Sequence, residues 1–251
     1  MGAELAGILT GPAFPALALG TALAGLSRGF TGFGTAMIFI PLAAIHLPPV
    51  TVVVVMHLID IWASLLLTRR ALGETRIRPV LILIAGVCIG LPLGFIALQN
   101  LDPIAFRWLA PALVLAALAA LISGWRYRRE PGDPLTFAIG IGSGLTGGLV
   151  GMVGPPVVLF FLGSAERAVR MRAAFILFLL LATPAGLVVF WLRGALGREA
   201  LAYGILLAPI FVLCVLAGAR LFRMAGERDY RYAAYALVAG AATLSLPIWS
   251  G

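Results

Sequence analysis

Apolar residues run along this chain in long blocks separated by short polar turns. A helix needs about 20 apolar residues to cross the hydrocarbon core of a bilayer at roughly 1.5 Å per residue. Six blocks read as ordinary spans of that kind: Val50–Leu67, Pro79–Leu98, Arg107–Trp125, Ala173–Leu192, Ala200–Ala219 and Tyr232–Trp249. Two others are interrupted. Leu5–Leu47 is broken by Ser27-Arg28-Gly29-Phe30-Thr31-Gly32-Phe33-Gly34, and Leu135–Gly163 by a run from Gly147 to Pro156. Inside a bilayer every backbone polar group must find a partner, so non-helical backbone survives only beside a cavity or within the bundle. Each break is therefore a pointer to a site. The pattern predicts an all-α integral membrane protein of about eight membrane segments, with a Gly-rich broken or re-entrant helix in each half.

The two breaks correspond. Gly25-Leu26-Ser27-Arg28-Gly29-Phe30-Thr31-Gly32 aligns with Gly144-Leu145-Thr146-Gly147-Gly148-Leu149-Val150-Gly151, Ala71-Leu72-Gly73 with Ala195-Leu196-Gly197, and Gly94 falls on Gly218. This predicts a duplication into residues 1–125 and 126–251 of a single membrane domain. Interrupted apolar segments at matching positions of two halves are the sequence signature of a secondary transporter. Arginine excess holds a loop on the cytoplasmic side. That puts Arg69, Arg70, Arg76 and Arg78 inside, with Arg126, Arg128 and Arg129, and favours the same side for Arg220, Arg223, Arg228 and Arg231. The turn Gly194–Gly197 would then lie outside, opposite to its counterpart. The charges favour this inverted repeat, which requires Leu135–Gly163 to cross an even number of times, as a re-entrant hairpin does. A single broken span would give parallel repeats instead.

Composition narrows the class. Of 251 residues, 62% are hydrophobic and 11% charged, with a mean hydropathy of +1.08. A soluble domain carries roughly 45–50% apolar and about 25% charged residues, so a soluble enzyme, a nucleic-acid-binding module and a disordered regulator are excluded. The net charge of +8 comes from arginines, which sit mostly at the ends of the apolar blocks. That is loop marking, and no nucleic-acid partner is implied. The first 27 residues hold Glu4 and no basic residue, so the basic start of a signal peptide is missing. The expected location is a bacterial inner membrane, crossed several times. Cys88 and Cys214 lie mid-block without metal or redox spacing and are expected to pack in the interior. No metal or organic cofactor is indicated.

Candidate chemistry gathers at the breaks. Arg28 is the one basic residue within the first long block. A charge near the bilayer centre costs from about 2.5 kcal/mol upward and is rarely there without a partner. Its planar fork suits an oxyanion, unless it lies at the membrane surface and anchors a helix end. Ser27, Thr31, Thr35 and Thr146 lie in or beside the breaks, with Gly32, Gly34, Gly148, Gly151 and Gly154 as positions of close backbone approach. Half-helix N-termini offer free N–H groups to an anion, and the hydroxyls either add donors or cap their own helices. His57 and Asp60, three apart, share a helix face. Asp60 is about 15 Å into its span at 1.5 Å per residue. It reads as a partner for Arg28, a proton carrier, or a structural tie between helices.

At the two Gly-rich breaks the chain resembles the sulfite exporter TauE/SafE family of bacterial membrane transporters. The stretches that carry the resemblance are Gly25 to Pro41 and Gly144 to Pro156, with Gly90-Leu91-Pro92-Leu93-Gly94 beside them. The likeness spans nearly the whole chain in length, order and loop placement. It departs at Thr35-Ala36-Met37, where a longer glycine run would be expected. The resemblance implies a duplicated bundle and export of sulfite or another small organosulfur anion. An enzyme is disfavoured: there is no HExxH, no GxSxG and no second mid-block carboxylate to pair with Asp60. The reading is therefore a secondary transporter of a small anion, coupled to an ion gradient, with one half moving against the other around a midplane site. An anion channel, or a transporter of a different small solute, is the alternative. Partners are the anion and the lipid bilayer; the sequence leaves monomer and homodimer open.

Overall fold

The computed structural model describes residues 2–32, 34–68, 77–123, 131–162 and 168–224. They form α-helices: α1 Gly2–Thr10, α2 Phe14–Thr31, α3 Thr35–Ala43, α4 Pro49–Thr68, α5 Ile77–Gln99, α6 Pro103–Ile122, α7 Asp133–Val150, α8 Gly154–Leu162, α9 Ala168–Leu192 and α10 Arg198–Met224. Among the described residues, α4, α5, α6, α9 and α10 are long and apolar enough to cross a membrane. These match the first five expected spans. The expected span at Tyr232–Trp249 and the arginine-rich turns after Thr68 and after Ser123 lie outside the described residues. Leucines such as Leu19, Leu93 and Leu213 face outward. Lipid is a suitable neighbour for such faces and water is not. Cys88 is exposed on α5 rather than packed inside, because its position is on the outward face of that helix.

Both predicted breaks are present, and a third was missed. α2 stops where Gly32 adopts φ +84° and donates its N–H to the Arg28 carbonyl at 2.9 Å. Gly34, at φ +101°, starts α3. Only glycine takes this left-handed geometry cheaply, which is how helices commonly end. α7 stops likewise at Gly151, φ +71°, whose N–H reaches the Gly147 carbonyl at 2.8 Å while Met152 reaches Thr146 at 3.1 Å. The further break separates α1 from α2 at residues 11–13, where Gly11-Pro12 was the signal.

Packing rests on two glycine-lined helix pairs. Along α5, a Cβ at Gly86, Gly90 or Gly94 would fall 2.4, 2.1 or 2.2 Å from the carbonyl oxygens of Phe137, Ile141 and Leu145 on α7. Along α7, Gly140 and Gly148 would meet the Leu83 and Leu91 carbonyls at 2.3 and 2.2 Å. α2 and α10 touch in the same manner, Gly29 against the Val215 carbonyl and Gly218 against that of Leu26. Small residues at such seams let backbones approach where lipid supplies no hydrophobic force between helices. In both pairs the contact advances in the same direction on the two helices, so each pair is parallel. α9 runs parallel to α5, with Phe190 beside Phe95. It runs antiparallel to α4, with Thr183 near Asp60 but Phe190 near His57.

Candidate functional site

The functional residues meet where α2 ends, α3 begins, and α4 and α9 pass by. Arg28 occupies the last turn of α2, just ahead of the break rather than within it, and is fully buried. All three guanidinium nitrogens have partners. Nε donates to Asp60 Oδ1 at 3.0 Å, Nη2 to Ser64 Oγ at 3.2 Å, and Nη1 to the Gly32 carbonyl, one of the carbonyls a helix end leaves unpaired. Surface anchoring is therefore excluded. Asp60 accepts from three elements besides its own helix: Arg28 of α2, Thr35 of α3 at 2.7 Å and Thr183 of α9 at a long 3.5 Å. Ser64, one turn along α4, adds a contact at 3.4 Å. Both charges are out of water, and each is held by the other and by hydroxyls. A buried pair persists only when its remaining valences are met in this way.

Beside this pair lies a small cavity, about 40 Å3 of room for the centres of water-sized atoms, enough for a few waters or one compact ion. Arg28, Thr35, His57, Asp60 and Thr183 make its polar wall. Met37, Met56, Val158, Phe175 and Leu179 are among the residues of the apolar one. Glycines from both breaks reach it, Gly34 from the first and Gly151 and Gly154 from the second. The first turn of α3 also lines it. The earliest helical bond there is Ile38 N–H to the Gly34 carbonyl, so the amides of Thr35, Ala36 and Met37 have no partner within the helix. α8 begins Gly154-Pro155-Pro156, and two prolines in its first turn remove two donors. Among the described residues, backbone donors without a helical partner are thus concentrated at the α3 end of the cavity.

The predicted residues divide. Arg28, Gly34, Thr35, His57, Asp60, Gly151 and Gly154 share the cavity, and Gly32 gives its carbonyl to Arg28. Thr146, Gly148 and Ser27 are elsewhere. The Thr146 hydroxyl lies 2.9 Å from the Met152 carbonyl and 3.1 Å from that of Gly142, tying down the second break. The Ser143 hydroxyl binds the Val153 carbonyl to the same end. Gly148 is spent on the α5 seam, and Ser27 is buried away from the cavity. The side chain of Thr31 lies outside the described residues. Ser64 and Thr183 were missed. Ser64 was legible as the next position on the face of His57 and Asp60. Thr183 had no signal beyond a hydroxyl beside Pro184 in an apolar run. Among the described residues no group of His, Cys, Asp and Glu could hold a metal ion.

A helical membrane bundle with a buried, partnered arginine at a break and a cavity lined from both breaks is the architecture of a membrane transporter. The profile of the family described as Sulfite exporter TauE/SafE matches residues 17–245, and the chain belongs to that family. A relative from Cupriavidus necator, named "Probable sulfite/organosulfonate exporter TauE", is 28% identical over 225 residues, covering 86% of this chain and 88% of that protein. No solved structure matches the chain.

Proposed function

We propose that this protein is a secondary transporter exporting a small sulfur anion, sulfite or an organosulfonate, across a bacterial inner membrane. The observation that carries the reading is Arg28: a fully buried cation at the edge of a cavity that also receives the free amides of α3. Arg28 in the resting site is neutralised by Asp60. An anion that takes the guanidinium must displace that carboxylate, and two anions on one buried cation repel strongly. Protonation of Asp60 relieves the conflict. Anion and proton then load together, and net flux runs down the sum of their gradients, outward when the cytoplasmic anion is in excess.

In this reading the halves 1–125 and 126–251 are inverted copies. α2 and α7 have 18 residues each and α3 and α8 nine each, and both pairs turn at a left-handed glycine. α5, α7 and α9 run one way, while their counterparts α10, α2 and α4 run the other. α2–α3 and α7–α8 are then hairpins entering from opposite faces, each too short in its second arm, about 13 Å at 1.5 Å per residue, to finish the crossing. Arg78, Arg170, Arg172 and Arg220 fall at one end of the bundle, and Arg107, Arg193 and Arg198 at the other. With the arginine-rich connections the first end is the cytoplasmic one.

Alternation differs from one half sliding on the other. α2 is seated on α10 and α7 on α5, so the 18-residue arm of each broken hairpin is locked into the other half by backbone contact. Access instead changes at the nine-residue arms α3 and α8, which meet at the cavity. Sulfite efflux from proteoliposomes tests the whole reading. Saturable efflux, faster when proton and anion gradients are aligned and abolished in Arg28→Gln, is expected. Flux linear in concentration and indifferent to pH gradient would mean a channel, and no flux of any sulfur anion would overturn the assignment.

A further inference from the structure

His57 is the polar cavity residue that the Arg28–Asp60 network does not use. It lies on α4, 1% exposed, edge-on to Phe190 of α9 with ring centroids 4.8 Å apart. Its Nδ1 is 2.9 Å from the Val53 carbonyl oxygen. A carbonyl only accepts, so Nδ1 carries the hydrogen, and Nε2 of the neutral ring is left as a lone-pair acceptor. Nε2 is buried and has no hydrogen-bond partner. The Cδ2–Nε2 edge packs against Gly186 of α9, where a Cβ would come within 2.7 Å of Cδ2 and 2.8 Å of Nε2, so only glycine lets the ring sit there, at the wall of the cavity. The charged groups near the ring are Asp60, on its own helix, and Arg28, in the same cavity. α9 presents Thr183, Gly186 and Phe190 and α5 presents Leu91, none of which titrates.

A buried acceptor without a donor is costly and rare. It is explained when the ligand brings the donor. A fully deprotonated oxyanion brings only lone pairs to Nε2, and the two repel. An oxyanion that keeps one hydrogen can give it to the ring nitrogen while its charge meets Arg28 and the α3 amides. We propose that the site takes inorganic sulfite in its singly protonated form, hydrogensulfite, with His57 Nε2 accepting the anion's hydrogen and so determining which form of sulfite is carried. This rests on the assignment of the cavity to a sulfur anion.

The test is calorimetric binding to the purified full chain in detergent, with sodium sulfite and sodium methanesulfonate, at pH values on both sides of the second ionisation of sulfurous acid. Methanesulfonate has the same single charge and three oxygens but no hydrogen to lose, so its pH profile reports the protein's own groups, Asp60 included. The ratio of sulfite to methanesulfonate affinity then isolates the anion's hydrogen. In the wild type the ratio is expected to fall about tenfold from the acid to the alkaline side. His57→Phe flattens it, and His57→Gln, whose amide oxygen is an acceptor at the position of Nε2, keeps part of it. A wild-type ratio that is flat or rises with pH, with methanesulfonate still bound, overturns the proposal alone, and so does a His57→Phe profile that follows the wild type. Binding of neither anion at any pH overturns the cavity's assignment and the proposal with it. Should His57→Phe fail to fold, the wild-type ratio and His57→Gln decide.

Discussion

Asp60→Asn removes one charge and almost no volume, which makes it a clean probe of the buried pair. In the wild type Asp60 lies 3.0 Å from Arg28 Nε and accepts further from Thr35, Ser64 and Thr183. The asparagine oxygen keeps some of those bonds but leaves a fully buried guanidinium without its counter-charge. Removing one partner of a buried pair costs about 3–5 kcal/mol, whereas replacing both by neutral groups of similar size is often close to neutral. Asp60→Asn and Arg28→Gln are each expected to lower the thermal midpoint in detergent by roughly 10 °C. The double variant recovers most of that loss. Added sulfite recovers part of it in Asp60→Asn, because an anion supplies what Arg28 has lost, and none in Arg28→Gln. The assay is tryptophan fluorescence against temperature, with and without anion. Midpoints of the single variants within about 1 °C of the wild type would refute the energetic reasoning. Recovery by sulfite in Arg28→Gln would refute the role given to the cation.

Gly90→Ala should separate α5 from α7, since its Cβ would lie 2.1 Å from the Ile141 carbonyl oxygen; a loss of about 2–3 kcal/mol is expected. Gly142→Ala, with nothing within 4 Å, should be neutral or stabilising by about 0.5 kcal/mol, and the two melting curves together check the seam. Thr146→Val removes the hydroxyl from the Met152 carbonyl. It should cost about 1 kcal/mol and lower transport less than Thr35→Val, which strips a donor from Asp60; proteoliposome flux compares them. A cysteine cross-link between the N-terminal turns of α5 and α7, where Arg78 and Asp133 pair at 2.6 Å, should leave efflux intact. A cross-link between α3 and α8 should stop it. Equal inhibition by both links would show that the seams move.

Much of this protein was written along the chain. The apolar blocks located the five long described helices to within a few residues, because a span must be long enough to cross the hydrocarbon and hydrophobic enough to stay there. Gly32 and Gly151 were legible as breaks because few other residues accept a left-handed turn. Arg28 and Asp60 stood out because an intramembrane charge is expensive wherever it lies. The contacts between distant segments were not legible. Arg28 and Asp60 are 32 residues apart, and only folding shows that they cancel each other. Thr183 joins them across 123 residues, while Thr146, equally polar and beside a break, is consumed by local carbonyls. The glycines told the same story twice over: Gly34 and Gly148 look alike in sequence, yet one lines the cavity and the other is buried in a helix seam. A residue's type sets the energy it must recover, but the partner that returns it is chosen by which helices the tertiary fold brings side by side.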